Sequence, residues 1–384
     1  MKYTIKLVLA SMLATLTLGG CGSDSKKTPI KIEEKVEVTF DYQQLIDDAV
    51  TDIVPGIVLL VETPQYKFLG RSGLSDKETF TPMTTQVLMP NGSAGKKLTA
   101  LLAAMLEYDG LLNLDDTINT WLPDTLLSQI ENSDEMTLRQ LLNHTSGVYD
   151  YLDDEIILNF FEAIQNDTDS LKTDSFALQF ALNQPAYFLP GEGFEYSNTG
   201  YLLAGLIMDK VLGAHHSTAM RDRIFTPFSL EASHYGGVEK SLGDIISGYY
   251  TEDDGNVINT KTWYENIGVA DAPLVSNVED MAQILKVIIS DESLVTPEIK
   301  EILFGESNLI YTDDGDFYGL GIFKSILNGK TVYHHNGLEI GYSTTNIYIQ
   351  ETQTSITAFF NCGGSDECEN QTDTVIAKVL NNVL

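Results

Sequence analysis

The chain has 384 residues and a formal charge of −32 at pH 7, from 55 acidic and 23 basic side chains. Such a balance excludes a nucleic-acid partner, because phosphate neutralisation needs a basic face. Hydrophobic residues make up 43% of the chain, enough for a real core, and the length suits one large catalytic domain or two small ones. The acidic excess names no substrate; its plainest consequence is a strongly solvated exterior.

Residues 1–20 have the pattern of an export signal. Lys2 and Lys6 give a basic start, and the apolar run Leu7 to Leu18 is too short to span a bilayer. It ends Leu18-Gly19-Gly20-Cys21, which resembles a bacterial lipobox. That resemblance implies a lipid on Cys21, which becomes the mature N-terminus; the alternative is an ordinary secretory leader with a coincidental cysteine. Gly22, not aspartate, follows, and by resemblance to Gram-negative lipoproteins this implies an outer-membrane anchor facing the periplasm. Residues 21–38 are polar, with Pro29, and are read as a tether. The globular domain is expected over 39–384.

Helical apolar spacing runs from Tyr42 to Asp52, and Pro55-Gly56 breaks it. Ile57 to Val61 is a buried-strand candidate and Tyr66 to Ser72 a second strand. Helical patterns then dominate to about Ser290. Examples are Lys96 to Asp109, Thr137 to Leu142, Tyr201 to Val211 and Val278 to Ser290. Strand patterns return at Tyr318 to Ser325, Lys330 to His334, Thr344 to Gln350 and Thr354 to Asn361, before a last helix, Thr372 to Val383. The expected fold is α/β of the α+β type. An antiparallel sheet built from both chain ends is flanked by helices, with a mostly helical lobe inserted over roughly 94–290.

Three clusters carry chemistry. Ser93-Ala94-Gly95-Lys96 spells S-x-x-K at the start of a helix. Residues three apart share a helix face, so the Lys96 amine would stand beside the Ser93 hydroxyl and take its proton if held neutral. The bare motif is weak, since Ser23 to Lys26 also fits, and the structural alternative is a capping serine. The second cluster is Tyr196-Ser197-Asn198, in a Pro-Gly turn before an apolar helix. A phenol beside an ammonium can shuttle protons, and the Asn198 amide can both donate to and accept from a substrate amide. Tyr264-Glu265-Asn266 fits the same pattern, and a plain helix cap is the alternative. The third is His335-Asn336-Gly337-Leu338 between two strand patterns. Gly337 on an edge strand would let a ligand approach the backbone. The N–H groups of Leu338 and Ser93 could then form an oxyanion hole, with His335 at the rim as donor or charge. Surface histidines on a strand are the alternative. His234-Tyr235-Gly236 also fits H-x-G, but without a convincing strand before it.

Cys362 and Cys368 flank a short acidic turn. In an exported chain a disulfide is expected across it, with two free thiols as the alternative. No histidine lies near them in sequence, and no H-x-H or H-E-x-x-H spacing occurs, so neither a metal nor another cofactor is expected.

Taken in order, these motifs resemble the serine β-lactamase and penicillin-binding family, in the branch of class C β-lactamases and D-alanyl-D-alanine carboxypeptidases that also holds esterases and D-aminopeptidases. The resemblance covers roughly Pro55 to Asn361. It includes Gly110 to Asp116 and Thr137-Leu138-Arg139-Gln140-Leu141-Leu142-Asn143-His144-Thr145-Ser146-Gly147. It implies Ser93 as acylated nucleophile, Lys96 as its proton partner and Tyr196 as general base and acid. Asn198 would contact the acyl side chain, and His144 would have a structural role. His335 stands where many members have lysine, and Gly337 matches the family glycine. Two departures stand out. Histidine at 335 weakens a fixed charge for a substrate carboxylate, and Ala270 to Ser276 replaces a Gly-Gly-rich loop.

The expected function is a lipid-anchored envelope serine hydrolase, monomeric, acting through an acyl-enzyme on a peptide, amide or ester. A D-alanyl-type peptide is the first guess and β-lactam turnover a weak side activity. The alternative is a penicillin-binding sensor or binding lipoprotein that does not hydrolyse.

Overall fold

The computed structural model describes residues 40–312 and 315–384. The leader, the tether and Cys21 lie outside the described residues. Among those described, no helix is long and apolar enough to cross a membrane.

The first helix is Tyr42–Ala49, capped by the Asp41 side chain, which accepts from the Gln44 N–H. The strand Gly56–Glu62 follows. Its run of Ile, Val and Leu shows no polar alternation because both faces are covered. Ile57, Leu59 and Val61 pack with Ile46 and with Val375 and Val379 of the C-terminal helix Asp366–Val383. Val58 and Leu60 point into the larger core shared with the inserted lobe.

Among the described residues the main sheet has ten strands, and every pairing in it is antiparallel. Gly56–Glu62 lies between Lys67–Asp76 and Thr354–Phe360, with Leu59 opposite Gly70 on one side and Ala358 on the other. Thr354–Phe360 then pairs with Tyr342–Ile349, which pairs with Lys330–His334. The first and last strands of the described residues therefore lie side by side in one sheet. The short edge strand Gly337–Glu339 pairs with the start of Tyr342–Ile349. The mixed α/β class with a large antiparallel sheet and flanking helices agrees with the sequence reading.

Several boundaries differ from it, among them the helix expected from Tyr201 to Val211, which is Asn198–Leu212. The strand expected over Tyr318 to Ser325 is two strands, Phe317–Tyr318 and Phe323–Leu327. They are separated at Gly321, which has φ +70 and packs against the carbonyl of Lys96. The last helix begins at Asp366 rather than Thr372. Its first turn holds Asp366, Glu367 and Glu369, which suit a helix N-terminus but carry no apolar signal. The helix carrying Lys96 is Lys96–Tyr108, and Ser93 sits just before it in a 3₁₀ turn, Gly92–Gly95.

Candidate active site

The 3₁₀ turn keeps Ser93 and Lys96 on one side, as the three-residue spacing requires. Lys96 Nζ lies 3.1 Å from Ser93 Oγ. It also donates to Asn198 Oδ1 at 2.7 Å and to the Asp271 carbonyl at 3.0 Å. The side chain is fully buried. Burial pulls its pKa down, with Asp271, Asp150 and Glu339 opposing that shift. Ser93 itself is partly exposed. Its hydroxyl thus meets both solvent and a buried amine.

Asn198 opens the helix Asn198–Leu212 and is clamped between the Lys96 amine and the Asp150 carboxyl group. Its Nδ2 donates to Asp150 Oδ2 at 2.9 Å, and its backbone N–H donates to Asp150 Oδ1 at 3.1 Å. The plain capping alternative fails, since the Ser197 side chain makes no cap bond and the Asn198 amide spans Lys96 and Asp150. Tyr196 presents its ring 5.2 Å from Lys96 Nζ and stacks on His144, with centroids 4.0 Å apart. His144 holds that loop from two sides. Its Nδ1 accepts from the Ser197 N–H at 3.1 Å, and its carbonyl accepts from the Glu195 N–H at 3.0 Å. Burial keeps His144 neutral, well below its ordinary value.

Gly337 and Leu338 lie against the Ser93 turn. A Cβ on Gly337 would stand 1.9 Å from the Asn91 carbonyl oxygen and 3.0 Å from the Ala94 nitrogen. The close neighbour that demands glycine is therefore the backbone of the turn that carries Ser93, not a ligand. Gly92, at φ +52, approaches Leu338 from the other side, with an ideal Cβ 3.2 Å from its nitrogen. Leu338 and Ser93 line one cleft.

His335 is not at the rim. It is 3% exposed, and burial, with Lys97 and Lys96 nearby, holds its pKa well below 6.5. Its Nδ1–H donates to the Asn336 carbonyl at 2.9 Å, and Nε2 faces the Tyr318 hydroxyl at 3.4 Å. A charged histidine at this position is thus replaced by a neutral, inward-facing ring.

Several residues were missed by sequence reasoning. Asp150 and Tyr151 follow the His144 loop with no local pattern to mark them. Asp271 falls in the atypical Ala270 to Ser276 loop, which was noted only as a departure. Glu339 directly follows Leu338, and its neighbour Gly337 was the only hint. Lys97 is fully buried and donates to Asn346 Oδ1 at 2.7 Å. Cys362 and Cys368 are joined as a disulfide. A separate surface depression lies between Lys67, Glu279, Lys286 and Glu62, whose ion pairs at 2.6 Å fill its walls with charge.

A sheet shared by both termini, with a serine and a buried lysine one turn apart beneath its edge, defines a serine hydrolase-type scaffold. The Beta-lactamase family model matches residues 42–381, and the chain belongs to that family. Its superfamily comprises serine hydrolases, penicillin-binding proteins and amidases among them. The chain is 27% identical over 317 residues to penicillin-binding protein 4* of Bacillus subtilis, covering 78% of this chain and 67% of that protein. A second curated relative, protein flp of Staphylococcus aureus, is 24% identical, and the chain spans 60% of its length. Both relatives therefore extend well beyond this chain. Among solved structures, a D-stereospecific amidohydrolase from Streptomyces superposes with a TM-score of 0.74 at 25% identity, covering 86% of this chain and 97% of that one. A D-amino acid amidase from Ochrobactrum anthropi has the same fold, with a TM-score of 0.74 at 23% identity, covering 89% and 99%.

Proposed function

We propose that this chain is a hydrolase that works through an acyl-enzyme on a peptide, amide or ester, with Ser93 as nucleophile. The observation that carries the reading is the surroundings of Lys96 Nζ. Asn198 Oδ1 and the Asp271 carbonyl can only accept, so they take two N–H bonds. The third direction faces Ser93 Oγ. In the neutral amine, which burial favours, that direction holds the lone pair, ready for the hydroxyl proton.

The steps follow from those groups. Ser93 Oγ attacks the substrate carbonyl carbon as its proton passes to Lys96. The carbonyl oxygen becomes an oxyanion facing the N–H groups of Ser93 and Leu338. The C–N or C–O bond breaks, and the leaving group takes a proton relayed through Lys96 and the Tyr196 phenol. Water then attacks the ester, returning acid and free Ser93. Support for the substrate class comes from an amidohydrolase and an amidase among the structural neighbours. Anchoring through a lipid on Cys21 in the cell envelope rests on the leader pattern and is proposed with it.

The test is mass spectrometry after exposure to p-nitrophenyl esters and a fluorescent penicillin, with turnover followed in parallel. A transient adduct on Ser93, together with ester turnover that Ser93→Ala lowers at least about 1000-fold, is the expected result. A permanent adduct without turnover of any ester would instead make this a penicillin-binding sensor.

A further inference from the structure

We infer that Tyr318 is a positioning residue for the reaction at Ser93. Its one hydroxyl holds His144 and His335 in opposite tautomers, and through them aligns the Tyr196 loop with the strand that carries Leu338. This rests on the acyl-transfer reading above and adds a residue to it.

Tyr318 ends the strand Phe317–Tyr318 and is fully buried. Its hydroxyl meets His144 Nε2 at 3.1 Å, the Tyr201 hydroxyl at 3.2 Å and His335 Nε2 at 3.4 Å. These groups come from the loop after the helix Leu138–Leu142, from the helix Asn198–Leu212 and from the residue after the strand Lys330–His334. A tyrosine serving the core alone needs one partner for its hydroxyl.

The direction of each bond is fixed at its far end. The Ser197 N–H donates to His144 Nδ1 at 3.1 Å, so that nitrogen carries no proton. His144 is neutral. Its proton is therefore on Nε2 and is donated to the Tyr318 oxygen. In His335 the order is reversed. Nδ1 lies 2.9 Å from the Asn336 carbonyl, which can only accept, so Nδ1 carries the proton. Nε2 of this neutral ring is then an acceptor facing Tyr318. Tyr201 donates its own proton to the Leu142 carbonyl at 2.8 Å, so its oxygen also accepts. Tyr318 thus accepts from one histidine and offers its proton to the other and to Tyr201. Tyr201 competes for that proton, and the His335 contact is the longest of the three.

Each histidine passes the constraint to the site. His144 stacks on Tyr196, and its Nδ1 holds the N–H of the next residue, Ser197. His335 holds the carbonyl of Asn336, in the peptide that leads to Gly337 and Leu338. The His335 N–H donates to the Asn346 carbonyl on the strand Tyr342–Ile349. The other tautomer of His144 would set N–H against the Ser197 N–H. The other tautomer of His335 would set a lone pair against the Asn336 carbonyl. Away from water both mismatches are costly. The hydroxyl of Tyr318 suits the two observed tautomers at once, because it accepts on one side and donates on the other.

Two measurements test this. The first needs no substrate. With isotopically labelled histidine nitrogens, long-range proton–nitrogen NMR spectra near neutral pH report which ring nitrogen holds the proton. His144→Gln and His335→Gln identify the two sets of signals. The wild type should show His144 as the Nε2–H form and His335 as the Nδ1–H form, both uncharged. In Tyr318→Phe, which keeps the ring and loses only the hydroxyl, at least one of the two rings should become a mixture of tautomers. The same tautomer in both rings of the wild type, or a charged ring, overturns the inference even if the variant fails to fold. In the second measurement, kcat and KM for a p-nitrophenyl ester are compared between wild type and Tyr318→Phe, with kcat counted per folded molecule from the melting curve. kcat should fall at least about tenfold while KM changes less than about twofold. Where the acyl adduct is permanent, the same loss is read in the rate at which a fluorescent penicillin labels Ser93. A wild-type rate in Tyr318→Phe, or a slower one with both tautomers kept, overturns the positioning role and leaves the hydrolase standing. A wild type in which nothing reacts at Ser93 overturns the acyl-transfer reading and the positioning role with it, even where the tautomers are as stated.

Discussion

Asn198 Oδ1 accepts from Lys96 Nζ at 2.7 Å, the shortest bond that amine makes. Through its other end the same carboxamide donates to Asp150. The amide therefore separates an amine from a carboxyl group and fixes the orientation of Lys96 Nζ. Asn198→Ala should lower kcat/KM for a p-nitrophenyl ester by about 100-fold while the fold persists. An unchanged rate constant would mean that Lys96 is oriented without it.

Gly337 should tolerate no side chain. With an ideal Cβ 1.9 Å from the Asn91 carbonyl, Gly337→Ala must push the edge strand away from the turn that carries Ser93. Overpacking of this kind costs about 1–3 kcal/mol. The melting temperature should fall, and acylation of Ser93 by a fluorescent penicillin should slow more steeply than stability declines. Wild-type acylation would show that the strand and the turn do not act together.

Lys97 gives a pH dependence with a definite sign. Burial lowers its pKa to about 7, while in the unfolded chain it titrates near about 10.4. Between those values the unfolded state binds more protons. Stability therefore rises as pH goes from about 7 to about 10, and the cost of charging the buried amine is greatest at and below neutrality. Lys97→Met removes this term. Measured by urea denaturation, the stability of wild type relative to Lys97→Met should increase by a few kcal/mol over that range. A difference that stays flat with pH would show that Lys97 keeps an ordinary pKa in the fold.

The disulfide ties the end of the central strand Thr354–Phe360 to the last helix across a separation of six residues. Closing so small a loop removes unfolded-state entropy worth about 2 kcal/mol. Cys362→Ser with Cys368→Ser should lower the melting temperature by a few degrees, and a reducing agent should do the same to the wild type. A melting temperature changed neither by the double substitution nor by the reducing agent would show the bridge to be energetically silent.

The legible part of this molecule was local. An apolar run marked Gly56–Glu62 because a strand covered on both faces need not alternate, and β-branched and aromatic residues marked Thr354–Phe360, whose Thr354, Ser355 and Thr357 are buried as well. The helix Val278–Ser290 was read to its residue limits because Asn277 caps it and the apolar spacing is regular. The start of the last helix was not legible, since its acidic first turn gains from the backbone dipole and not from burial. The pairing of Ser93 with Lys96 followed from spacing along one turn. His335 is no rim group because its protonation depends on burial, which comes from Tyr318 and Phe323 on other strands and from packing against Tyr196.

Sequence by itself determined the elements, the covalent order of the motifs and the one-turn geometry of serine and amine, since each is set by forces acting within a few residues. Tertiary structure alone decided the charge state of His335, the clamp of Asn198 between Lys96 and Asp150, and the burial of the Asp271 carboxyl beside Tyr151. Those depend on desolvation and on contacts between segments some 50 to 175 residues apart, and no local pattern encodes how much water a packed core will exclude.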